Sequence, residues 1–220
     1  MKTARRLLNL FLLVSVAYLV TRPESFFTSL AASAKKLEQQ QPPAPANAST
    51  GSTHRLAHSL QLKLDYIQEN GAKPRPEPVP TVMTEDEINE YLASDRVQLP
   101  KGIEKITLQG RSGLVTALLR VDFDKVRDGQ RSPNPLLGMF SGTHNVVVES
   151  DATGQAGQGR VHVHTVTLDG IEVPRIALQY FVDRYVTAKN PNLGLDSQFQ
   201  LPDRIDVATV GYHKLTVTQR

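Results

Sequence analysis

Alternation of apolar and polar residues over positions 113–124 most constrains the fold of this chain. Val115, Leu119 and Phe123 fall on one side of this segment, and the other side is half polar. A period of two is typical of a β-strand with one buried face. Residues 103–109 precede the segment across the turn "GRSG", so the two segments predict a hairpin.

Two further pairs of segments have the same arrangement without repeating its residues. Residues 144–151 and 159–168 flank a glycine-rich turn, and residues 204–210 and 213–219 turn at Gly211. With the helices described below, three hairpins predict an α+β fold whose antiparallel sheet has about six strands. Such a sheet buries one face and has to twist, so we expect it to be curved.

Residues 174–189 predict a long helix that is apolar around most of its circumference. Pro174 suits the first helical position, where its missing amide hydrogen costs nothing. Gln179 and Asp183 belong to a narrow polar edge. A helix lying on an open sheet has an apolar stripe of roughly 100°. Because this stripe is wider, we expect a sheet wrapped along the helix, or a bound apolar ligand, to cover it.

An apolar ligand would contact the inner strand faces and this helix. An ordinary hydrophobic core explains the same residues without any ligand, so both interpretations stay open. The candidate ligand-binding residues are Val115, Leu119, Phe123, Val146, Val148, Val161, Val163, Leu178, Phe181, Val182 and Tyr185.

The positive charge of the chain belongs to its N-terminal part. Residues 1–36 contain six lysine or arginine residues and one glutamate, a net charge of +5. The whole chain has a net charge of +3, so the remaining residues sum to −2. A nucleic-acid-binding domain needs a basic face of its own, and this charge distribution argues against that class.

The N-terminus predicts export from the cytoplasm. Lys2, Arg5 and Arg6 precede the apolar residues 7–20, a run that suits a signal-peptide core and is short for a membrane span. We expect a protein of the periplasm or cell envelope, with this segment either cleaved or kept as an inner-membrane anchor. The chain has no cysteine, which excludes disulfides, a lipid-modified cysteine and a cysteine nucleophile.

Composition divides the chain into four parts. Residues 1–34 form the signal peptide or anchor, and residues 35–54 form a flexible linker rich in Gln, Pro, Ala and Ser. Residues 55–80 combine an amphipathic helix, Arg55 to Glu69, with an extended proline-rich lead-in. Residues 81–220 form the α+β domain.

A short helix is predicted to begin after Thr84. Thr84 and Glu87 have the spacing of a capping box, in which each side chain binds the other residue's backbone amide. Glu85 and Asp86 add negative charge to the first turn, where the helix dipole favours it. The dipole therefore explains these acidic residues without a bound metal ion.

Two motifs resemble ligand sites. His162 and His164 lie two positions apart on one predicted strand, the spacing of a metal-ligand pair. No third ligand follows at a suitable spacing, and Val166 and Leu168 are expected on the same face, so we predict surface histidines and no metal. The glycines of residues 154–159 join two strands and lack the lysine of a phosphate loop, so they predict a turn.

Two other sets of residues resemble catalytic groups. Ser141, His144 and Asp151 have the residue types of a hydrolase triad, but the sequence around the serine lacks a nucleophile elbow. Asp122 and Asp124 could form a two-carboxylate site, but a solvent-facing strand end explains them more simply. We therefore predict no catalytic residues, no enzymatic activity and no cofactor.

Several motifs within residues 80–220 resemble small exported bacterial domains related to the TULIP (tubular lipid-binding) superfamily. They are "TEDEINEYL", "LPKGI", "NPLLGMF", "LDGIEVPRIALQYFVDRY" and "LPDRIDVATVGYHKLTVT". The resemblance implies a curved antiparallel sheet along a long helix, with an apolar groove for acyl chains and no shared catalytic residues. The chain departs from the pattern in being short for a double-barrel member and in lacking a lipobox cysteine.

The sequence therefore predicts a non-catalytic envelope protein that binds or carries a lipid or another apolar small molecule. The N-terminal segment could contact the membrane, and no nucleic acid is expected as a partner. The alternative is a membrane-tethered structural or interaction domain with a fully packed core. The two hypotheses differ in whether space for a ligand remains beside the helix.

Overall fold

The structure, a computed structural model, describes residues 50–127, 141–183 and 194–220. These residues form an α+β fold with one nine-stranded antiparallel sheet. Its helices are α1 (Thr50–Ala72), α2 (Glu85–Ala93), α3 (Phe123–Arg127) and α4 (Arg175–Val182). Its strands are β1 (Thr81–Thr84), β2 (Ile103–Arg111), β3 (Leu114–Asp122), β4 (Thr143–Gln155), β5 (Gln158–Leu168), β6 (Ile171–Glu172), β7 (Asp196–Gln200), β8 (Ile205–Gly211) and β9 (Lys214–Gln219).

The main strand order is β1-β9-β8-β4-β3-β2, and β5 adds to β4 and also pairs with β6 and β7. The long strand β4 pairs with β3 over 143–151 and with β8 at Thr153 and Gly154. The amide of Gly113, in the β2–β3 turn, donates to the carbonyl of Val210 on β8 at 2.8 Å. The first hairpin is therefore hydrogen-bonded to the last one.

All three predicted hairpins are confirmed as β2–β3, β4–β5 and β8–β9. The predicted number of about six strands was too low, because β1, β6 and β7 also join the sheet. Strand β6 has two residues and β7 reads "DSQFQ", so neither shows the apolar alternation that identifies a strand in a sequence.

The capping box of α2 is confirmed. The amide of Glu87 donates to Thr84 Oγ1 at 3.3 Å, and the amide of Thr84 donates to Glu87 Oε2 at 2.8 Å. Helix α1 begins at Thr50, five residues before the predicted start, and buries Leu60, Leu64 and Ile67 against the sheet. This helix is therefore a part of the hydrophobic core.

A β-bulge interrupts β5 at His164. Glu149 pairs with Thr165 and Ser150 pairs with Val163, so His164 has no partner in the ladder. The extra residue reverses the alternation of side chains, because successive residues of a strand face opposite sides. Val166 consequently packs in the core with Val163, and the expectation that Val166 and Leu168 share the histidine face was wrong.

Helix α4 follows Pro174, which occupies the N-cap position rather than the first helical position. Leu178 and Val182 are buried in the core, whereas Ile176 and Tyr180 are exposed. The remainder of the predicted helix after Asp183 lies outside the described residues.

Candidate ligand-binding site

The structure brings most of the candidate ligand-binding residues into one place. Strands β3, β4 and β5 supply residues from their inner faces, Phe123 opens α3, and α4 closes over them. All of these side chains are buried and pack in one hydrophobic cluster. The candidates in this cluster are Leu119, Phe123, Val146, Val148, Val163, Leu178 and Val182.

Val115 and Val161 do not join that cluster. They lie near the turns of their hairpins and pack with Ala152 and Val210 in a smaller cluster. The strand periodicity correctly placed both side chains on the inner face, where each is buried. This smaller cluster includes Val210 of β8, which pairs with the end of β4. The periodicity of a single segment does not predict pairing between distant strands.

Two candidates from the helix are not located by the structure. The side chain of Phe181 and all of Tyr185 lie outside the described residues. Their assignment as ligand-binding residues stays a prediction.

A small apolar crevice lies between α2, the β2–β3 hairpin and the β8–β9 hairpin. Its volume is about 50 Å³, and its lining includes Ile88, Leu108, Val115 and Leu215. Pockets that bind small molecules usually measure roughly 300–1,000 Å³. This crevice is therefore too small for an acyl chain, and Val115 is the one candidate among the described side chains that lines it.

The outer side of α4 carries large apolar side chains. Ile176 is 87% exposed and Tyr180 is 56% exposed, and they lie four residues apart on one helix face. Ile171, in β6 just before the helix, is also exposed. The unusually wide apolar stripe in the sequence indicated this exposed surface. The candidate ligand-binding residues nevertheless included neither Ile176 nor Tyr180.

The two histidines of β5 each pair with a carboxylate. His162 Nδ1 contacts Asp196 Oδ1, and His164 Nε2 lies 2.8 Å from Asp151 Oδ2. The two imidazole rings meet edge to face with centroids 4.8 Å apart. Within residues 50–127, 141–183 and 194–220, no three His, Cys, Asp or Glu side chains are arranged to hold a metal ion.

The residues considered as a hydrolase triad are not brought together as one. Asp151 pairs with His164, and His144 instead has Asp169 as its carboxylate partner. His144 Nε2 faces the backbone carbonyl of Ser141 at 3.1 Å. The arrangement therefore fixes the imidazole ring between two oxygen atoms.

Asp122 and Asp124 stabilise the backbone around α3. Asp122 Oδ1 accepts the amide of Lys125 at 3.0 Å, and Asp124 Oδ2 accepts the amide of Gly142 at 2.8 Å. The pKa of Asp122 is lowered, chiefly by the backbone hydrogen bond from Lys125 and then by the lysine side chain. Each carboxylate thus has a local structural partner.

Fold and geometry place the chain in the broad class of α+β domains built on a large antiparallel sheet. No protein-family model, no curated protein and no solved structure matches it. No helix in the described part of the chain is long and apolar enough to cross a membrane.

Proposed function

We propose that this protein is a non-catalytic envelope module that binds an apolar ligand, such as a lipid acyl chain, along helix α4. One observation carries the proposal: α4 has apolar side chains on two sides. Leu178 and Val182 enter the core, while Ile176 and Tyr180 face outward. Exposing large apolar side chains to water is unfavourable, and clusters of them commonly mark binding surfaces.

The sequence supports the same proposal in two ways. The predicted export segment would bring the domain close to lipid. The motif resemblance to TULIP-related domains implies a curved sheet along a helix with a groove for acyl chains. On this proposal the ligand lies against the outer side of α4, and the buried candidates hold the helix in place.

The packing of the interior favours the alternative, a tethered interaction domain without a small-molecule ligand. The candidate side chains that the structure describes are all buried against one another. The crevice beside Val115 holds too little volume for a lipid. On this alternative, the exposed side of α4 would contact another protein.

Ligand uptake tests the first proposal. Full-length protein, stripped of lipid, should bind a fluorescent fatty acid at micromolar concentration. Ile176→Asp should reduce that binding at least tenfold, because it places a charge where the acyl chain would lie. Circular dichroism of the variant should be unchanged, since Ile176 is exposed.

Leu62→Asp provides the matched control. Leu62 is 57% exposed on α1, so the substitution removes similar apolar surface at a different place. Unchanged fatty-acid binding is expected for this variant. The lipid proposal is wrong if native mass spectrometry of protein from its own envelope shows no bound lipid and the fatty acid does not bind. Partners captured by the wild type but not by Ile176→Asp would then support the interaction domain.

A further inference from the structure

His144 lies between two hydrogen-bond acceptors at the start of β4. Its Nδ1 atom is 2.5 Å from Asp169 Oδ2, and its Nε2 atom is 3.1 Å from the carbonyl oxygen of Ser141. The ring also meets Phe123 edge to face, with centroids 5.5 Å apart. Three segments of the chain therefore converge on one imidazole.

These contacts favour one protonation state of the ring. A backbone carbonyl and an ionised carboxylate can only accept hydrogen bonds, so both contacts are satisfied only when each ring nitrogen donates. Only the doubly protonated, positively charged imidazolium has a hydrogen on each nitrogen. The neutral ring would leave one nitrogen lone pair facing an oxygen atom.

Asp169 connects this histidine to the approach of α4. Asp169 and Gly170 form the two-residue turn between β5 and β6, and both have positive φ angles. Asp169 Oδ1 also accepts the amide of Asn145 at 2.8 Å, and the Asp169 amide donates to the Asn145 carbonyl at 2.8 Å. One carboxylate thus holds both the imidazole and the adjoining strand.

The charges around His144 are mostly negative. Asp169 approaches from the β5–β6 turn and Asp124 from α3. On the neighbouring strand, Asp122 pairs with Thr143 in the ladder and is itself neutralised by Lys125 at 2.9 Å. This environment favours the charged form of the imidazole.

We propose that His144 is a pH-sensitive latch. In its doubly protonated form it ties the Ser141 carbonyl and the start of β4 to the β5–β6 turn that leads to α4. Loss of one proton breaks the bond to Ser141 and leaves the neutral ring on Asp169, the stronger acceptor. The latch is independent of what α4 binds.

The direction of the pH response follows from the two partners. The pKa of His144 is raised, chiefly by the hydrogen bond to Asp169; desolvation opposes this, and the Ser141 carbonyl adds to it. The pKa of Asp169 is lowered by His144 and by the Asn145 amide. The contribution of His144 to stability is therefore fully present below the pKa of histidine in the unfolded chain, roughly 6.5. It is lost as the pH rises through the higher pKa of His144 in the folded protein.

Nuclear magnetic resonance of the full-length protein, labelled on its histidine nitrogens, tests the latch. In the wild type, both ring nitrogens of His144 should carry hydrogen at acidic pH, and Nε2 should be the one that loses it. In Asp169→Asn the midpoint of the His144 titration should fall, because asparagine has no charge. Asparagine tolerates the positive φ angle at this position, so the turn should persist.

Asp151→Asn is the matched control, because it removes the carboxylate of a different histidine, His164. The titration of His144 should not change in this variant. The latch is refuted if the wild-type midpoint lies at or below the ordinary histidine value, or if Asp169→Asn leaves it unmoved. Loss of the Nδ1 hydrogen instead of the Nε2 hydrogen would also refute it.

Unfolding measurements provide a second readout. The stability difference between wild type and His144→Gln should be largest in mild acid and should decline as pH rises through the measured midpoint. A difference that stays constant with pH would contradict the latch. If His144→Gln does not fold, the titrations of the wild type and of Asp169→Asn still decide the question.

Discussion

The Glu87 side chain accepts hydrogen bonds beyond the one that belongs to the capping box. Its side chain is only 7% exposed, and it accepts from Lys63 Nζ at 2.7 Å and from Ser59 Oγ at 2.6 Å as well as from the Thr84 amide. Burial alone would raise its pKa, but the hydrogen bonds from Lys63, Ser59 and Thr84 lower it overall. One residue thus joins α1 to the start of α2.

Glu87→Gln should lower the free energy of unfolding by about 1–3 kcal/mol at neutral pH, because glutamine lacks the negative charge and one of the two acceptor oxygens. The folded pKa of Glu87 is lowered, so its contribution is present above the unfolded pKa of roughly 4.3 and is lost as pH falls through the folded value. Chemical denaturation at neutral and acidic pH should show the difference between variant and wild type shrinking in acid.

Glu77→Gln is the comparison for this prediction. Glu77 pairs with Lys73 at 2.6 Å, a distance similar to that of the Lys63–Glu87 pair, but its side chain is 58% exposed. Exposed ion pairs contribute little to stability, so this variant should unfold like the wild type. Equal effects of the two substitutions would show that burial does not strengthen the Glu87 contacts.

At the scale of elements, α2 covers the terminal strand of the sheet. Asn89 donates from Nδ2 to the Leu108 carbonyl at 2.9 Å and accepts the Leu108 amide on Oδ1 at 2.8 Å. Glu85 Oε2 accepts the next outward-facing amide of β2, that of Gly110, at 2.9 Å. Side chains of one helix therefore take the place of a neighbouring strand along part of β2.

Asn89→Ala should destabilise the fold by about 1–3 kcal/mol, since it leaves both polar groups of Leu108 without these partners. Hydrogen exchange at the Leu108 amide should accelerate more than exchange at amides in β3. Asn89→Asp keeps the acceptor and loses the donor, so the Leu108 amide should stay protected in that variant. Rapid exchange of this amide in Asn89→Asp would argue against the pairing.

The elements differ in how far the sequence predicted them. The three hairpins and the α2 cap follow from local patterns, namely alternation, turn residues and the Thr84–Glu87 spacing. The bulge at His164 and the pairing of Asn89 with Leu108 depend on contacts between distant segments. Strand and helix periodicity placed seven of the candidate residues in the large hydrophobic cluster, whereas they did not predict that Val115 and Val161 pack in a separate one.

At the scale of the whole molecule, α1 belongs to the same folded unit as the sheet. It buries Leu60, Leu64 and Ile67 in a cluster with residues from β1, α2, β8 and β9. Asn70, near its end, donates to Gln219 Oε1 at 2.8 Å, and Gln219 Nε2 donates to the Ile67 carbonyl at 2.6 Å. The sequence indicated an amphipathic helix here, but its apolar stripe did not identify what the helix packs against.

Leu64→Ala should therefore reduce the stability of the entire domain by about 2–5 kcal/mol, the usual cost of such a cavity. Thermal unfolding can be followed by far-ultraviolet circular dichroism and by tyrosine fluorescence. The midpoint temperature of the variant should fall by the same amount in both signals. Leu62→Ala is the control within the same helix, since Leu62 is 57% exposed and Leu64 only 2%. Separate transitions for the two signals would show that α1 unfolds independently of the sheet.

The bulge in β5 also determines which shortened forms of the chain can fold. Deleting His164 would restore regular alternation and keep Val163 and Val166 on the inner face. Deleting a single residue from the middle of β4 would instead move the side chains of one half of that strand to the opposite face of the sheet. The extra histidine is thus not needed to fill the interior. Besides its contact with Asp151, it gives the strand the stronger local twist of a bulge.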